Sequence, residues 1–205
     1  MDLKQFTIPA IGVLFLSGIV LFRSLPPSPA RPTAGHQVIA FGDSLISGHG
    51  SSPGHDLVSQ LTDRVGVTII NAGRSGDTTQ SALARLDRDV LSRDPRVVIV
   101  LLGGNDFLRK VPRERTFANL GTIVERIRAR GAGVVLVGIN PGLLADPFAD
   151  GYEELALRTE SAFVPDVLNG ILGKGELMSD AIHPNDRGYA MMAERIQGAV
   201  ETLVR

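Results

Sequence analysis

One stretch decides the fold: Val38-Ile39-Ala40-Phe41-Gly42-Asp43-Ser44-Leu45. A short apolar run, typical of a buried strand, ends here in Gly-Asp-Ser, so a small hydroxyl stands where the strand turns into a loop or helix. In open α/β sheets, ligands and reacting groups collect outside the carboxyl ends of the strands. Ser44 is therefore the first candidate for chemistry, provided that the chain also supplies a base and a site for an oxyanion.

Similar apolar runs recur along the chain and alternate with segments of helical periodicity. We predict strands at 38–41, 67–70, 96–102, 134–139 and 162–164, and helices at 56–65, 81–91, 117–130, 152–159 and 186–203. The run at 96–102 is apolar at nearly every position, as expected of a strand buried on both faces of a sheet. The pattern predicts a three-layer α/β/α sandwich around a central five-stranded parallel sheet.

The first 35 residues differ in composition from the rest. Residues 5–22 carry no charge, are mostly apolar and lie between Lys4 and Arg23. As a helix they would reach about 27 Å, close to the roughly 30 Å of a bilayer core, so residues 1–23 are predicted to be a signal anchor or a signal peptide. Residues 24–35 contain four prolines, as an extended tether would. We expect the folded domain at 36–205, in the cell envelope of a bacterium, membrane-anchored or secreted.

Composition and charge exclude several classes of function. The 21 basic and 22 acidic residues leave a formal net charge of −1, so no strong field attracts nucleic acid. The chain has no cysteine, which excludes disulfides and thiolate metal sites. His36, His49 and His55 lack the spacing of metal ligands, so we expect no metal and no cofactor. His49 and His55 are expected to be solvated loop residues.

A second candidate group stands just before the last predicted helix, in Asp180-Ala181-Ile182-His183-Pro184. Pro184 restricts His183 to extended geometry, and an Asp three residues away can bond the imidazole if the loop is rigid. A serine nucleophile needs a general base, and an imidazole base needs an acceptor that sets its tautomer. The alternative is an ordinary loop Asp beside a helix N-terminus.

A third candidate group follows the strand at 96–102, in Gly103-Gly104-Asn105-Asp106. Two glycines permit a tight turn and close approach of the backbone to a substrate. The Asn105 amide can donate to a developing oxyanion, a contact worth about 3–4 kcal/mol where comparable donors have been removed. Gly73, after the second strand, can offer a backbone N–H to the same oxygen. Each of these segments on its own is also an ordinary turn.

Taken together, these segments resemble, in order and spacing, the four blocks of the SGNH (GDSL) hydrolases. The blocks are Gly42-Asp43-Ser44-Leu45, Gly73, Gly103-Gly104-Asn105-Asp106 and Asp180-x-x-His183-Pro184. The resemblance spans residues 37–203. Ser75-Gly76-Asp77-Thr78-Thr79-Gln80 is similar to the branch of secreted bacterial acyl thioesterases, lysophospholipases and arylesterases.

The resemblance implies a flavodoxin-like fold and a role for each matching residue. Ser44 would be the nucleophile, His183 the base and Asp180 the acid that orients it. The oxyanion would lie against the backbone N–H groups of Ser44 and Gly73 and the side chain of Asn105. The implied enzyme is a cofactor-free serine esterase for acyl thioesters, lysophospholipids or aryl and short-chain esters.

The expected substrate is a small-molecule or lipid acyl ester. Leu45, Phe107, Leu108 and Leu143 flank the candidate corners and are candidates for contact with the acyl chain, with core packing as the alternative for each. Two other functions stay open: a carbohydrate O-acetylesterase of the cell envelope, and a catalytically inactive, membrane-anchored interaction module. We expect a monomer that does not bind nucleic acid and that meets the membrane through its N-terminal segment if this is uncleaved.

Overall fold

The chain folds around a five-stranded parallel sheet. The computed structural model describes residues 28–140 and 147–205. The strands are β1 (Gln37–Gly42), β2 (Ile69–Gly73), β3 (Pro95–Leu101), β4 (Gly133–Val137) and β5 (Ala162–Val164). They lie in the order β2-β1-β3-β4-β5, and all neighbouring pairs are parallel. The predicted α/β fold with a five-stranded parallel sheet is confirmed, and its strand order is that of flavodoxin-like proteins.

Within the described residues, seven α-helices connect and flank the strands. They are α1 (Ser44–Ser47), α2 (Leu57–Val65), α3 (Thr79–Asp89), α4 (Gly104–Leu108), α5 (Arg113–Arg128), α6 (Pro147–Arg158) and α7 (Asp186–Val204). Side chains cap four of them: Asp43 caps α1, Asp56 α2, Thr78 α3 and Asn185 α7. Each cap accepts backbone N–H groups that the first helical turn leaves without an intrahelical partner.

Two hydrophobic clusters, one on each face of the sheet, make the fold a three-layer sandwich. Along β1, Val38 and Ala40 pack in one cluster and Ile39 and Phe41 in the other, as the two-residue period of a strand requires. Helices α2 and α7 cover the first face, and α3, α5 and α6 cover the second. Residues 97–101 of β3 are at most 1% exposed, which explains their unbroken apolar sequence.

Some elements begin at residues other than those predicted. β2 lies at Ile69–Gly73 rather than 67–70, because its pairing with β1 extends through the polar Asn71. α5 begins at Arg113 rather than 117, because its first turn is largely exposed and has no apolar periodicity. α1 and α4 have only four and five residues, too few to show a helical period in the sequence.

The predicted signal segment at 1–23 lies outside the described residues. Residues 28–35 of the predicted tether pack against the domain: the Ala30 N–H donates to the Glu160 carbonyl (2.9 Å) and the Thr33 N–H to the Gly131 carbonyl (2.8 Å). The chain therefore joins the domain before the predicted start at His36. None of the helices in residues 28–140 and 147–205 is long and apolar enough to cross a membrane.

The strand order creates a crevice at the carboxyl ends of β1 and β3. The chain passes from β1 outward to β2 and then returns past β1 to β3. The connections that follow β1 and β3 therefore leave the sheet on opposite faces, and such a switch point is where open α/β sheets bind ligands. Ser44 follows β1 and Asn105 follows β3, so the topology brings these two predicted site residues to one place.

Candidate active site

Ser44 occupies the corner that follows β1. The carboxylate of Asp43 accepts the Leu45 N–H (3.0 Å) and caps α1, so Ser44 is the first residue of this short helix. The helix ends at Gly48, whose N–H donates to the Ser44 carbonyl (3.1 Å). The first N–H of a helix has no intrahelical acceptor. The Ser44 N–H likewise has no acceptor among the described residues, so it can donate to a ligand.

The loop that carries Asp180 and His183 is closed by its own backbone. Met178 and Pro184 form an antiparallel bridge, and the Ser179 N–H donates to the His183 carbonyl (2.9 Å). The next segment is the start of α7, where a side-chain cap begins the helix. Because both ends of the loop are held, the carboxylate and the imidazole keep a defined relative position.

The side chains of Ser44, His183 and Asp180 form a continuous chain of hydrogen bonds. His183 Nε2 lies 3.0 Å from Ser44 Oγ, and His183 Nδ1 lies 2.7 Å from Asp180 Oδ2. Asp180 Oδ1 accepts the backbone N–H groups of Ile182 and His183. The bond from the Ile182 N–H, followed by that from the His183 ring, lowers the pKa of Asp180 to about 2. An ionised Asp180 keeps a proton on Nδ1, which leaves Nε2 to accept a proton from the serine.

Asn105 is presented by a tight turn after β3. Gly103 has a φ of 120°, a conformation that other residues rarely adopt, and an added Cβ would collide with the Tyr152 hydroxyl. The Tyr152 hydroxyl donates a hydrogen bond to the Leu102 carbonyl (2.6 Å). This bond ties the turn to α6, the helix that carries Tyr152. The glycine is therefore required both by the backbone conformation and by the close approach of a buried tyrosine.

The Asn105 amide lies between two acceptors at the edge of the site. Its Nδ2 donates to the Asp77 carbonyl (3.0 Å) and makes a longer contact to Asp43 Oδ2 (3.4 Å). N–H···O bonds are most favourable near 2.9 Å, so the contact to Asp43 is the weaker of the two. Asn105 and Ser44 line the same cavity.

Asp43 is a buried carboxylate next to the candidate triad. It is 2% exposed, and this burial raises its pKa to about 6 although the Leu45 N–H and the nearby His183 act in the opposite direction. Its carboxylate faces the N–H of Leu45 and the amide of Asn105, so it ties the Ser44 corner to the Asn105 turn. In the sequence, Asp43 stands out only as a member of the Gly42-Asp43-Ser44-Leu45 motif, with no role of its own.

Two further buried charges hold the loops around the site. Asp106 is fully buried and accepts bonds from the N–H (2.8 Å) and the hydroxyl (2.6 Å) of Thr79, at the start of α3. Arg85, which is 6% exposed, pairs with Asp77 and donates to the Gly42 carbonyl at the end of β1 (3.0 Å). The only signal for Arg85 in the sequence is its place on the buried face of α3.

The structure does not bring Gly73 to the oxyanion position that the resemblance implied. Its N–H donates to Oδ1 of Asn71 (2.9 Å), and Gly73 does not line the cavity next to Ser44. Gly76, in the following turn, has a φ of 83°, and its N–H has no acceptor among the described residues. It directly precedes Asp77, whose carbonyl receives the Asn105 amide.

A cavity of about 510 Å³ opens beside Ser44 and His183. Its apolar walls are formed by Leu45, Phe107, Leu108, Ile139, Leu168, Leu172 and Ile182, and Asn140, Asp166 and Asn169 contribute polar groups. This volume and this mostly apolar lining are typical of a pocket for a small molecule.

The mouth of this cavity exposes large apolar side chains. Phe107, Leu108 and Ile182 are 38%, 53% and 44% exposed, and such a patch with polar groups nearby is typical of a ligand groove. Of the residues predicted to contact an acyl chain, Leu45, Phe107 and Leu108 line the cavity, and Leu143 lies outside the described residues.

His49 is a neighbour of the site that sequence analysis assigned to a solvated loop. Its ring centroid lies 4.3 Å from that of His183, with the planes inclined by 52°, and its Nε2 lies 3.9 Å from Asp180 Oδ2. The His49 ring is 56% exposed to solvent, as expected of a loop residue, but it also lies next to His183 and Asp180 of the candidate triad. The only hint in the sequence is that His49 stands five residues after Ser44, within the loop that leaves α1.

Comparison with solved structures supports this description of the fold. A crystal structure of TesA superposes on the chain with a TM-score of 0.76 at 29% identity, covering 81% of this chain and 98% of TesA. The similarity therefore extends over nearly the whole of the TesA chain.

Comparison of sequences gives the family. The model of the GDSL-like Lipase/Acylhydrolase family matches residues 40–191, a range that contains Ser44, Asp180 and His183. Esterase TesA of Pseudomonas aeruginosa is 30% identical over 202 residues, 93% of this chain and 98% of that protein. Thioesterase 1/protease 1/lysophospholipase L1 of Escherichia coli K12 is 31% identical over 182 residues, 85% of this chain and 88% of its own length. The chain therefore belongs to the GDSL-like lipase/acylhydrolase family and is a hydrolase of ester bonds.

Proposed function

We propose that the chain is a serine esterase that transfers an acyl group first to Ser44 and then to water. The observation that carries the proposal is the chain of hydrogen bonds from Ser44 Oγ through both ring nitrogens of His183 to Asp180. In such an arrangement the imidazole takes the hydroxyl proton, and the carboxylate stabilises the imidazolium that forms. The reaction needs an ester and water and no cofactor.

The proposed reaction consists of two acyl transfers. Ser44 Oγ attacks the carbonyl carbon while its proton moves to His183 Nε2, and a tetrahedral intermediate forms. When the intermediate collapses, the bond to the leaving oxygen or sulfur breaks, and His183 gives the proton to that atom. Water then attacks the acyl-enzyme with His183 again as the base, and the carboxylic acid is released.

Three N–H donors are proposed to hold the oxyanion of the intermediate. The first is the backbone N–H of Ser44, at the start of α1. The second is Asn105 Nδ2, because a charged oxygen can take over the hydrogen that now makes the long contact to Asp43. The third is the N–H of Gly76 in place of Gly73, whose N–H is already bonded within β2. Donors placed in advance stabilise the charge that develops in the transition state.

The proposed substrate is an ester or thioester with an apolar acyl chain. The cavity that begins at Ser44 is lined mainly by apolar side chains, and three of them, Phe107, Leu108 and Ile182, are more than a third exposed. The names of the relatives, esterase and thioesterase/lysophospholipase, support the same class. Each buried methylene contributes about 0.8 kcal/mol, or about fourfold in kcat/KM, so turnover should rise with acyl length until the cavity is full.

The polar wall of the cavity favours a second candidate function. Asn140, Asp166 and Asn169 also line the cavity, and amide and carboxylate groups suit the hydroxyls of a sugar. A carbohydrate O-acetylesterase would use the same Ser44 chemistry with the sugar as the leaving group. Release of acetate from acetylated sugars, without turnover of longer acyl esters, would favour this candidate.

The proposed place of action is the bacterial cell envelope, outside the cytoplasm. The uncharged stretch at 5–22 between Lys4 and Arg23 supports export by a signal peptide or a membrane anchor. A monomer is proposed because Ser44, Asn105 and His183 come together within one chain.

The test is an acyl-length series of p-nitrophenyl esters and acyl-CoA thioesters, from acetyl to palmitoyl, on the full chain. Ser44→Ala should abolish turnover and labelling by a fluorophosphonate probe, with an unchanged thermal midpoint. Ser92→Ala, at an exposed serine after α3, is the matched control and should keep both. Turnover retained in Ser44→Ala would refute the proposal. A folded wild-type chain that the probe does not label would leave the inactive interaction module as the better hypothesis.

A further inference from the structure

We propose that His49, Asp180 and His183 form a binding site for a divalent transition-metal ion, best suited to Zn²⁺, and that its occupancy stops turnover. Each residue offers one ligand atom, and these atoms lie within 4.8 Å of one another. No metal site was expected from the sequence, because His36, His49 and His55 lack the spacing of metal ligands, and His49 and Asp180 stand 131 positions apart. The fold alone brings the three side chains together.

The chemistry of the three donors selects the ion. Two imidazoles and one carboxylate, with a remaining position open to water, are the donor set of open zinc sites. Imidazole also suits Cu²⁺ and Ni²⁺, whereas Mg²⁺ prefers oxygen ligands and retains much of its own water. The site should therefore bind Zn²⁺ and discriminate against Mg²⁺.

The distances fit an ion after a small adjustment. His49 Nε2 and Asp180 Oδ2 are 3.9 Å apart, whereas two ligands of a tetrahedral zinc ion lie about 3.4 Å apart. Asp180 is held by two backbone N–H groups, but the His49 ring is 56% exposed, so a rotation of this ring closes the difference with little resistance. The third donor, His183 Nδ1, is hydrogen-bonded to the same carboxylate oxygen at 2.7 Å, so an ion enters between these two atoms as they move apart by about 0.7 Å.

Two hydrogen bonds hold the backbone of His49 and thereby position its ring beside Asp180 and His183. The His49 N–H donates to the Ser44 carbonyl (3.0 Å), and its own carbonyl accepts the hydroxyl of Tyr189 (2.7 Å). Tyr189 is fully buried in α7. A ligand whose backbone is fixed loses less conformational entropy when it binds an ion.

Metal binding and acyl transfer exclude each other at His183. In the metal-free site, Nδ1 carries the proton that Asp180 accepts, and Nε2 is the base for Ser44. When the lone pair of Nδ1 goes to the ion, the ring proton moves through solvent to Nε2, and no proton is gained or lost overall. Nε2 then becomes a donor and cannot take the serine proton.

Ion binding is tested apart from activity. Calorimetric titration of Zn²⁺ into the metal-free, tag-free full chain carrying Ser44→Ala should show one ion per chain, because this variant keeps all three donors. Adding His49→Ala should lower the affinity by about tenfold or more, since even partners outside the ligand shell contribute roughly 10–100-fold to metal affinity. Adding His55→Ala, at a loop histidine outside the cluster, should leave it unchanged. Equal affinities with and without His49 would overturn the site.

Inhibition is tested on the wild-type chain, and only this arm rests on the proposed function. Zn²⁺ should stop ester hydrolysis, EDTA should restore it, and Mg²⁺ should have no effect. The zinc concentration for half inhibition should rise about tenfold or more in His49→Ala, each variant being compared with its own metal-free rate, and should not change in His55→Ala. Hydrolysis that Zn²⁺ leaves untouched would overturn the inhibitory role. A wild-type chain without esterase activity would refute the proposed function, while the calorimetry would still decide the metal site.

Discussion

Replacement of Asp43 by Asn should change how the stability of the protein depends on pH. Burial raises the pKa of Asp43 from 3.8 to about 6 in the folded state, so the folded protein binds a proton over this range that the unfolded chain releases. The stability that this proton contributes is complete below pH 3.8 and is lost as the pH rises through about 6. At about 1.4 kcal/mol per pH unit, the loss amounts to roughly 3 kcal/mol.

The assay compares thermal midpoints of the wild type and Asp43→Asn from acidic to neutral pH. Asn can still cap α1 but cannot ionise. In a domain of this size, 1 kcal/mol corresponds to about 2–4 °C, so the midpoint of the variant relative to wild type should rise by about 6–12 °C between about pH 4 and pH 7.

The pH dependence isolates the effect of the buried carboxylate. A changed contact between residue 43 and Asn105 would add the same amount to the difference between the two midpoints at every pH. It would therefore not change how this difference varies with pH. Asp63→Asn, at an exposed position in α2, serves as the matched control and should give a nearly flat difference. A flat difference for Asp43→Asn as well would show that burial does not hold a proton on this carboxyl.

Three further substitutions test the site. Asn105→Ala should lower kcat about 10²–10³-fold with little change in KM in steady-state ester hydrolysis, and a change in KM alone would contradict its role at the oxyanion. Asp180→Asn should lower kcat about 10⁴-fold because the imidazole loses control of its tautomer, and activity near wild type would remove Asp180 from the mechanism. Arg85→Met should lower the thermal midpoint by several degrees, because each buried acceptor left without a donor costs about 1–3 kcal/mol, whereas the exposed Arg88→Met should change it little.

The parts of the site that follow long apolar strands could be predicted from the sequence. The runs that end before Ser44 and Asn105 are buried on both faces, and the parallel arrangement that such runs imply places their carboxyl ends together. The start of α7 was equally clear, because its amphipathic pattern is long. The contact of His183 with Ser44, across 139 residues, could be expected only from the resemblance to a known family.

The remaining features depend on tertiary contacts that no local pattern reports. The Gly73 N–H was expected to face the oxyanion, but the side chain of Asn71, two residues earlier, accepts it. His49 meets His183 only because the loop after α1 is held against α7. Arg85 can be buried because its guanidinium donates hydrogen bonds to carbonyls at the ends of two strands and to the carboxylate of Asp77.

Part of the cavity wall comes from a different part of the chain than the proposed reacting groups. Ser44 and Asn105 stand at strand ends, and a bridged loop carries the imidazole, whereas Leu168 and Leu172 come from the connection that precedes that loop. Selectivity for the acyl group can therefore be altered independently of reactivity. A mutant library confined to these two wall positions should change which esters fit while the proposed geometry of proton transfer stays the same, which makes the fold a practical scaffold for directed evolution.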